Sequence, residues 1–199
     1  MDNTGAKAPV VRLTPDLNKI VEAILFVLKI ARDRGKIVTQ YDVVKTLFIA
    51  DRRHLNEYGR PITFDNYYAM RHGPVPRNAY NLLKGDRLTV QATGAEPPWT
   101  SEPIPGSNAR KFQANTVPSE EVFSPSEIEI IEESFTVVKS LGFGQIRRIT
   151  HEDAAYVDAW EGGETGNGSY PMSLALLFDE PNAALAEDLE FLTQLDAAN

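Results

Sequence analysis

The stretch "TFDNYYAMRHGPVPRNAY", Thr63 to Tyr80, carries four aromatic rings, two arginines and a His-Gly-Pro step within one short run. Its periodicity decides the fold around it. Ile62, Phe64, Tyr68 and Met70 fall on one face of an alternating pattern, and Asp65, Tyr67 and Arg71 take the other, which predicts a strand. Gly73 and Pro74 are expected to turn the chain. Pro74 or Pro76 then opens a helix that runs through Tyr80 to Leu83, with Gly85 beyond it as terminator. Tyr67, Tyr68 and Tyr80 suit either a base-stacking platform or packing beside a turn, and strand tyrosines favour packing.

Two helices precede this unit. Thr14 is read as an N-cap with Pro15 as the first helical residue, and Leu17, Ile20, Val21, Ile24, Leu25 and Leu28 make a continuous apolar stripe ending at Gly35. Thr39 with Asp42 forms a capping box for the second helix, which Gly59 stops. Its buried stripe is Val44, Leu47, Phe48 and Leu55. Asp51 sits on that same face, and a buried carboxylate must accept hydrogen bonds or meet a cation. The expected partner is Arg71, His72 or a backbone N–H of the Tyr68–Pro74 corner.

Downstream, Leu88 to Ala92 and Arg110 to Ala114 read as paired strands around a mobile Pro/Gly-rich loop. Ser124-Pro125-Ser126-Glu127 is a capping box for a helix bearing Ile128, Ile131, Phe135 and Val138, which Gly142 ends. A short helix carries Ile146 and Ile149, Thr150 caps the next one, and "GGETGNGS" is a flexible linker. "YPMSLALLF" is an apolar run, and a final amphipathic helix presents Leu185, Leu189 and Leu192. The fold class is mainly α (α+β): a compact helical domain with a small antiparallel β element. Residues 1–13 form a tail, 14–160 the domain and 161–199 an acidic C-terminal extension.

Composition narrows the function. With no cysteine among 199 residues, disulfides, thiolate metal sites and cysteine nucleophiles are excluded. The N-terminus lacks a secretory pattern, and the most apolar segment, "IVEAILFVLKIA", is too short and too charged to span a bilayer, so a cytoplasmic location is expected. Charge is uneven: residues 1–148 carry +3 and residues 149–199 carry −11, with no Lys or Arg after Arg148. Such a tail is either a solubilising surface or a lure for a basic partner. His54, His72 and His151 form no metal-ligand spacing, and the chain has no nucleophile elbow, phosphate loop or dinucleotide fingerprint. No catalytic residue, metal or cofactor is therefore assigned. Lys45, Arg52, Arg53 and Arg60 would suit a DNA-binding helix, but the acidic net charge argues against phosphate recognition.

The run "VVKTLFIADRRHLNEYGRPITFDNYYAMRHGPVPRNAYNLLKG", followed by "ITHEDAAYVDAW", resembles the Panacea, or SocA-like antitoxin, domain family from Val21 to Trp160. The matching positions are Asp51, Gly59, Pro61, Ile62, Tyr68, His72, Gly73, Pro74, Val75, His151 and Trp160. The resemblance implies a non-enzymatic antitoxin, often encoded near phage-derived genes, that neutralises a cognate protein toxin by direct binding. The alternatives are a DNA-binding regulator and an adaptor that delivers the toxin to a protease. Asp51, Tyr67, Tyr68, Arg71, His72, Gly73, Pro74, His151 and Trp160 are the candidate scaffold or partner-binding residues.

Overall fold

The computed structural model describes residues 7–162 and 166–197. Part of the N-terminal tail and three residues of the expected linker, 163–165, lie outside that range. Helix α1 (Leu17–Asp33) starts two residues later than Thr14 and Pro15 suggest, because the Asp16 carboxylate accepts the N–H groups of Asn18 and Lys19 at 2.9 and 3.1 Å. The Thr14 N–H instead donates to Thr193 Oγ1. Ala23, Phe26, Val27 and Ile30 are buried along with Ile20, Ile24, Leu25 and Leu28 of the expected stripe, and Leu17 and Val21 are half-buried, so from Ala23 to Leu28 α1 is covered on every side. Helix α2 (Gln40–Tyr58) has the Thr39–Asp42 capping box at its start and Gly59 in the left-handed region at its end, as expected.

The aromatic stretch forms a shorter strand than its alternation suggests. Strand β1 spans Tyr67–Met70 and pairs antiparallel with β2, Gly73–Pro76. Met70 faces Gly73 in the register, so Arg71 and His72 make the turn, and Gly73 and Pro74 lie in the returning strand. Tyr67 and Ala69 point deepest, and Tyr68 and Met70, on the opposite face, are half-buried. The reason lies upstream, where residues 62–66 are drawn off as a loop and Phe64 adopts φ 51°. Helix α3 (Arg77–Lys84) comes next and Gly85 caps it.

Residues 88–92, expected as a strand, belong instead to helix α4 (Arg87–Ala92), because the Asp86 side chain caps it through the Thr89 N–H and hydroxyl. The strand partner of β4 (Arg110–Ala114) is β3 (Trp99–Pro103), which lies inside the stretch expected as a mobile loop. Trp99 and Phe112 anchor this hairpin on the core. Helix α5 (Pro125–His151) begins at the expected capping box and consists of two helical segments joined at Gly142, whose backbone is non-helical. The first segment ends there and the second carries Ile146 and Ile149, as expected. Thr150 therefore lies inside α5, and Asp153 caps α6 (Ala154–Ala159).

The C-terminal stretch is integrated into this body. Strand β5 (Ser169–Pro171) pairs with the free edge of β1, giving a sheet of order β2-β1-β5. Met172, Leu174, Leu177 and Phe178 then join Phe48, Leu55, Tyr67, Ala69 and Tyr156 in a second hydrophobic cluster. Helix α7 (Ala183–Ala197) closes it with Ala186, Leu189 and Thr193, whereas Leu192, expected to face inward, is 54% exposed. Spacing of three and four residues from Ala186 brings Thr193 inward and turns Leu192 outward. Helix α2 and strand β1 thus serve two cores, one on each side.

Gly142 holds φ 70° and ψ 178°, a region open essentially to glycine, while no atom would lie within 4 Å of an added Cβ. Gly142→Ala should therefore cost about 1–3 kcal/mol through backbone strain alone. Urea unfolding checks this; an unchanged midpoint would mean that the bend in α5 relaxes freely.

Candidate functional site

Two fully buried carboxylates organise the segment that the sequence singles out. Asp51, from the middle of α2, accepts the N–H groups of Ile62 and Thr63 at 2.9 and 2.8 Å and the Thr63 hydroxyl at 2.5 Å. Its partners are thus neither Arg71 nor His72 nor the Tyr68–Pro74 corner, but the loop that leaves α2. Burial pushes the Asp51 carboxyl up to about 7, against the lowering effect of these donors. Asp65 acts on the other side of the loop. It accepts from the Asn78 and Ala79 N–H groups and from Asn78 Nδ2, so it caps α3, which has no side-chain cap of its own. Burial raises its carboxyl as well. The Tyr67 hydroxyl is buried between these acids without a hydrogen bond, and burial with the nearby carboxylates drives its ionisation far upward.

The Arg71–His72 turn lands elsewhere, against α2 and the second half of α5. Gly73 permits the contact: at φ 99°, a Cβ there would come within 2.7 Å of both Lys45 Nζ and Thr150 Oγ1. Lys45 is 1% exposed, and its ammonium donates to the Pro74 carbonyl at 2.6 Å. Burial holds its ionisation well below the ordinary lysine range. His151 packs its ring 4.4 Å from that of Tyr156, and its Nε2 is buried without a partner. Burial first, then the charges of Arg147, Lys45 and His72, push His151 down to about 4. His72 is lowered too, by burial and then by Arg147, Arg71 and Lys45.

From His151 a line of rings runs to the sheet. Tyr156 donates to the Met70 carbonyl at 3.1 Å and stacks on Trp160, whose ring meets Tyr170 of β5 edge-on at 5.6 Å. Arg71, His72, Gly73, Pro74 and His151 therefore converge, and Trp160 extends that group. Asp51 and Tyr67 form a separate buried cluster. Tyr68 joins neither, and lies under the Arg77 guanidinium on the sheet.

Lys45, Arg147 and Thr150 are the site residues that sequence reading missed. Lys45 stood out only as a surface cation; its place three residues before Phe48 was the available sign that it borders the apolar face. The other cations of α2 are engaged, Arg52 with Asp153 and Asp179 and Arg53 with Glu57 and Glu133, and Arg60 just past its end pairs with Glu127. The basic surface that a DNA-binding α2 would need is thus neutralised within the molecule.

A cavity of about 340 Å³ opens between the start of α2 and the β1–β2 turn, walled by Gln40, Tyr41, Lys45, Met70, His72 and Tyr80. Among the described residues, no group of three or more His, Asp or Glu is placed to hold a metal ion. Nor is any described helix long and apolar enough to cross a membrane.

A family model described as the antitoxin SocA-like, Panacea domain matches residues 43–156. The match takes in both carboxylates, the turn, Lys45, His151 and Tyr156, and stops short of Trp160 and β5. No curated protein and no solved structure matches the chain.

Removing the Asp51 carboxylate leaves two buried N–H donors and a hydroxyl unmet, so Asp51→Ala should destabilise the protein by about 3–5 kcal/mol in chemical unfolding. Because burial raises the Asp51 ionisation from 3.8 to about 7, its contribution is fully present below pH 3.8 and is lost as pH rises through about 7. Wild-type stability should thus fall relative to Asp51→Asn between those limits. A constant difference across that range would show that the donors keep Asp51 ionised throughout.

Proposed function

The chain belongs to the SocA-like, Panacea-domain antitoxin family, and from that premise we propose that it neutralises a cognate protein toxin in the cytoplasm by binding it directly, without catalysis. The buried carboxylates support this reading. Asp51 and Asp65 are both consumed in holding backbone N–H groups, so neither is free to act as a general base. The His-Gly-Pro turn is likewise packed as architecture, with Gly73 and Pro74 buried.

The observation that carries the toxin-binding face is the outer surface of α7. Phe191 and Leu192 are 60% and 54% exposed, beside exposed Glu187 and Asp188, in a region that has no Lys or Arg. Adjacent large apolar side chains rimmed by acids suit a partner with a basic, partly apolar groove. The acids steer the encounter, and the apolar pair supplies short-range affinity once water is expelled. Truncation after Gly163 is a poor test of this face, because it also removes β5 and much of the second core.

The double variant Phe191→Ser/Leu192→Ser alters only exposed positions and should change stability by no more than about 0.5 kcal/mol per site. Co-expressed with the product of the neighbouring gene, wild type should relieve growth arrest. The variant should bind that product more weakly by about 2 kcal/mol, some thirtyfold, and fail to relieve arrest. Full rescue with unchanged co-purification would place the toxin on another face.

A further inference from the structure

Lys45 is a buried lysine that lacks a counter-charge, and burial disfavours its ammonium form. Among the described residues no carboxylate forms an ion pair with it, and the Pro74 carbonyl is its hydrogen-bond partner. Basic groups gather around it: Arg147, Arg71 and Lys45 disfavour the His72 imidazolium, and Arg147, Lys45 and His72 disfavour that of His151. Tyr41, one turn earlier on α2, and Tyr156 on α6 remain neutral, both pushed up to about 12 by burial. Two more polar atoms of this cluster are unmet, since the Arg147 Nε donor and His151 Nε2, whose role follows the ring's tautomer, are buried without hydrogen bonds. In a chain of net charge −8, gathering these basic groups around a buried lysine with no carboxylate partner is costly.

The cavity in front of Lys45 explains that cost. Lys45, Arg71 and His72 line it on one side, and the Tyr41 and Tyr80 rings with the Met70 side chain form apolar walls. Among the described residues its lining contains no Asp or Glu. At about 340 Å³ it has the size of a small-molecule site and the usual makeup of one, apolar walls with a few convergent polar groups.

We propose that this cavity binds a small organic anion, a phosphate or carboxylate joined to a flat apolar body, with the oxyanion held by Lys45, His72 and Arg71 and the body between the tyrosine rings. The bound oxyanion supplies the negative charge that Lys45 lacks. Binding therefore restores the ammonium and the imidazolium, and draws protons from solvent. A protein toxin that inserted an acidic side chain here would use the same donors, but it would have to approach an acidic molecule with an acidic group. The free small molecule is the better fit.

The test uses the full-length chain and three probes: AMP, benzoate and inorganic phosphate. Calorimetric titration near pH 7 in two buffers of different ionisation enthalpy reads affinity and proton uptake together. AMP or benzoate should bind saturably, raise the melting temperature and take up protons, and phosphate alone should bind more weakly because it leaves the apolar walls unfilled. AMP above benzoate would assign the oxyanion as phosphate, and the reverse as carboxylate. Arg71→Gln/His72→Gln changes two exposed side chains and should weaken binding about tenfold or more while the free protein melts as wild type does. The proposal is overturned if no probe saturates by about 10 mM, a range that would already detect millimolar affinity. It is overturned equally if the double variant binds undiminished, or if that variant loses the toxin while wild type ignores all three probes.

Discussion

A carboxylate in the middle of a core helix has to find donors, and in this molecule the position of those donors dictates the path of the chain beyond the helix. Asp51 finds them in the loop immediately after α2, at Ile62 and Thr63. That pulls the chain back along the helix it has just left. Two residues on, Asp65 performs the reciprocal task and caps α3. The strand that follows can begin only at Tyr67, and its register with β2 then places Tyr67 and Ala69 toward one core and Met70 toward the other. Each carboxylate bears a desolvation cost, which several charge-assisted hydrogen bonds offset. The arrangement suits specification of a single loop path better than it suits raw stability.

The β1–β2 hairpin is where the two cores meet. Gly73 lets it approach α2 and α5 closely enough to seal Lys45, and Tyr156 ties the strand end to α6 through the Met70 carbonyl. The opposite edge of β1 receives β5, so a chain segment about a hundred residues away completes the sheet. Cationic charge gathers on the turn side and acidic charge on the α7 side. The buried scaffold and the charged outer faces are thus built from different residues. The same scaffold can then carry different outer faces, since Asp51, Asp65 and Gly73 touch only the interior.

Much of the helical framework was legible because its signals are local. The Thr39–Asp42 and Ser124–Glu127 capping boxes, the Gly59 and Gly85 stops and the apolar spacing of α1 and α2 each involve residues within a turn or two. The start of α1 is less legible because Thr14, Pro15 and Asp16 offer competing caps, and the competition is settled by the Asp16 carboxylate taking the N–H groups of Asn18 and Lys19. Residues 88–92 and β3 were misread because strand and helix propensities barely differ over such short runs. Asp86 decided the first case, and anchoring of Trp99 and Phe112 on the core decided the second.

By itself, then, the chain's order of residues determined a mainly helical body, the burial of Asp51 and the need for that carboxylate to be met. Only the tertiary structure decided who meets it, which face of β1 turns inward, and that Lys45 is buried without a carboxylate partner and does not lie on the surface. Helix caps and apolar periods are satisfied by neighbours along the chain, so they can be read along it. The partner of a buried charge, the edge of a strand and the lining of a cavity are set by groups tens to a hundred residues apart, and their pairing exists only once the chain has closed around them.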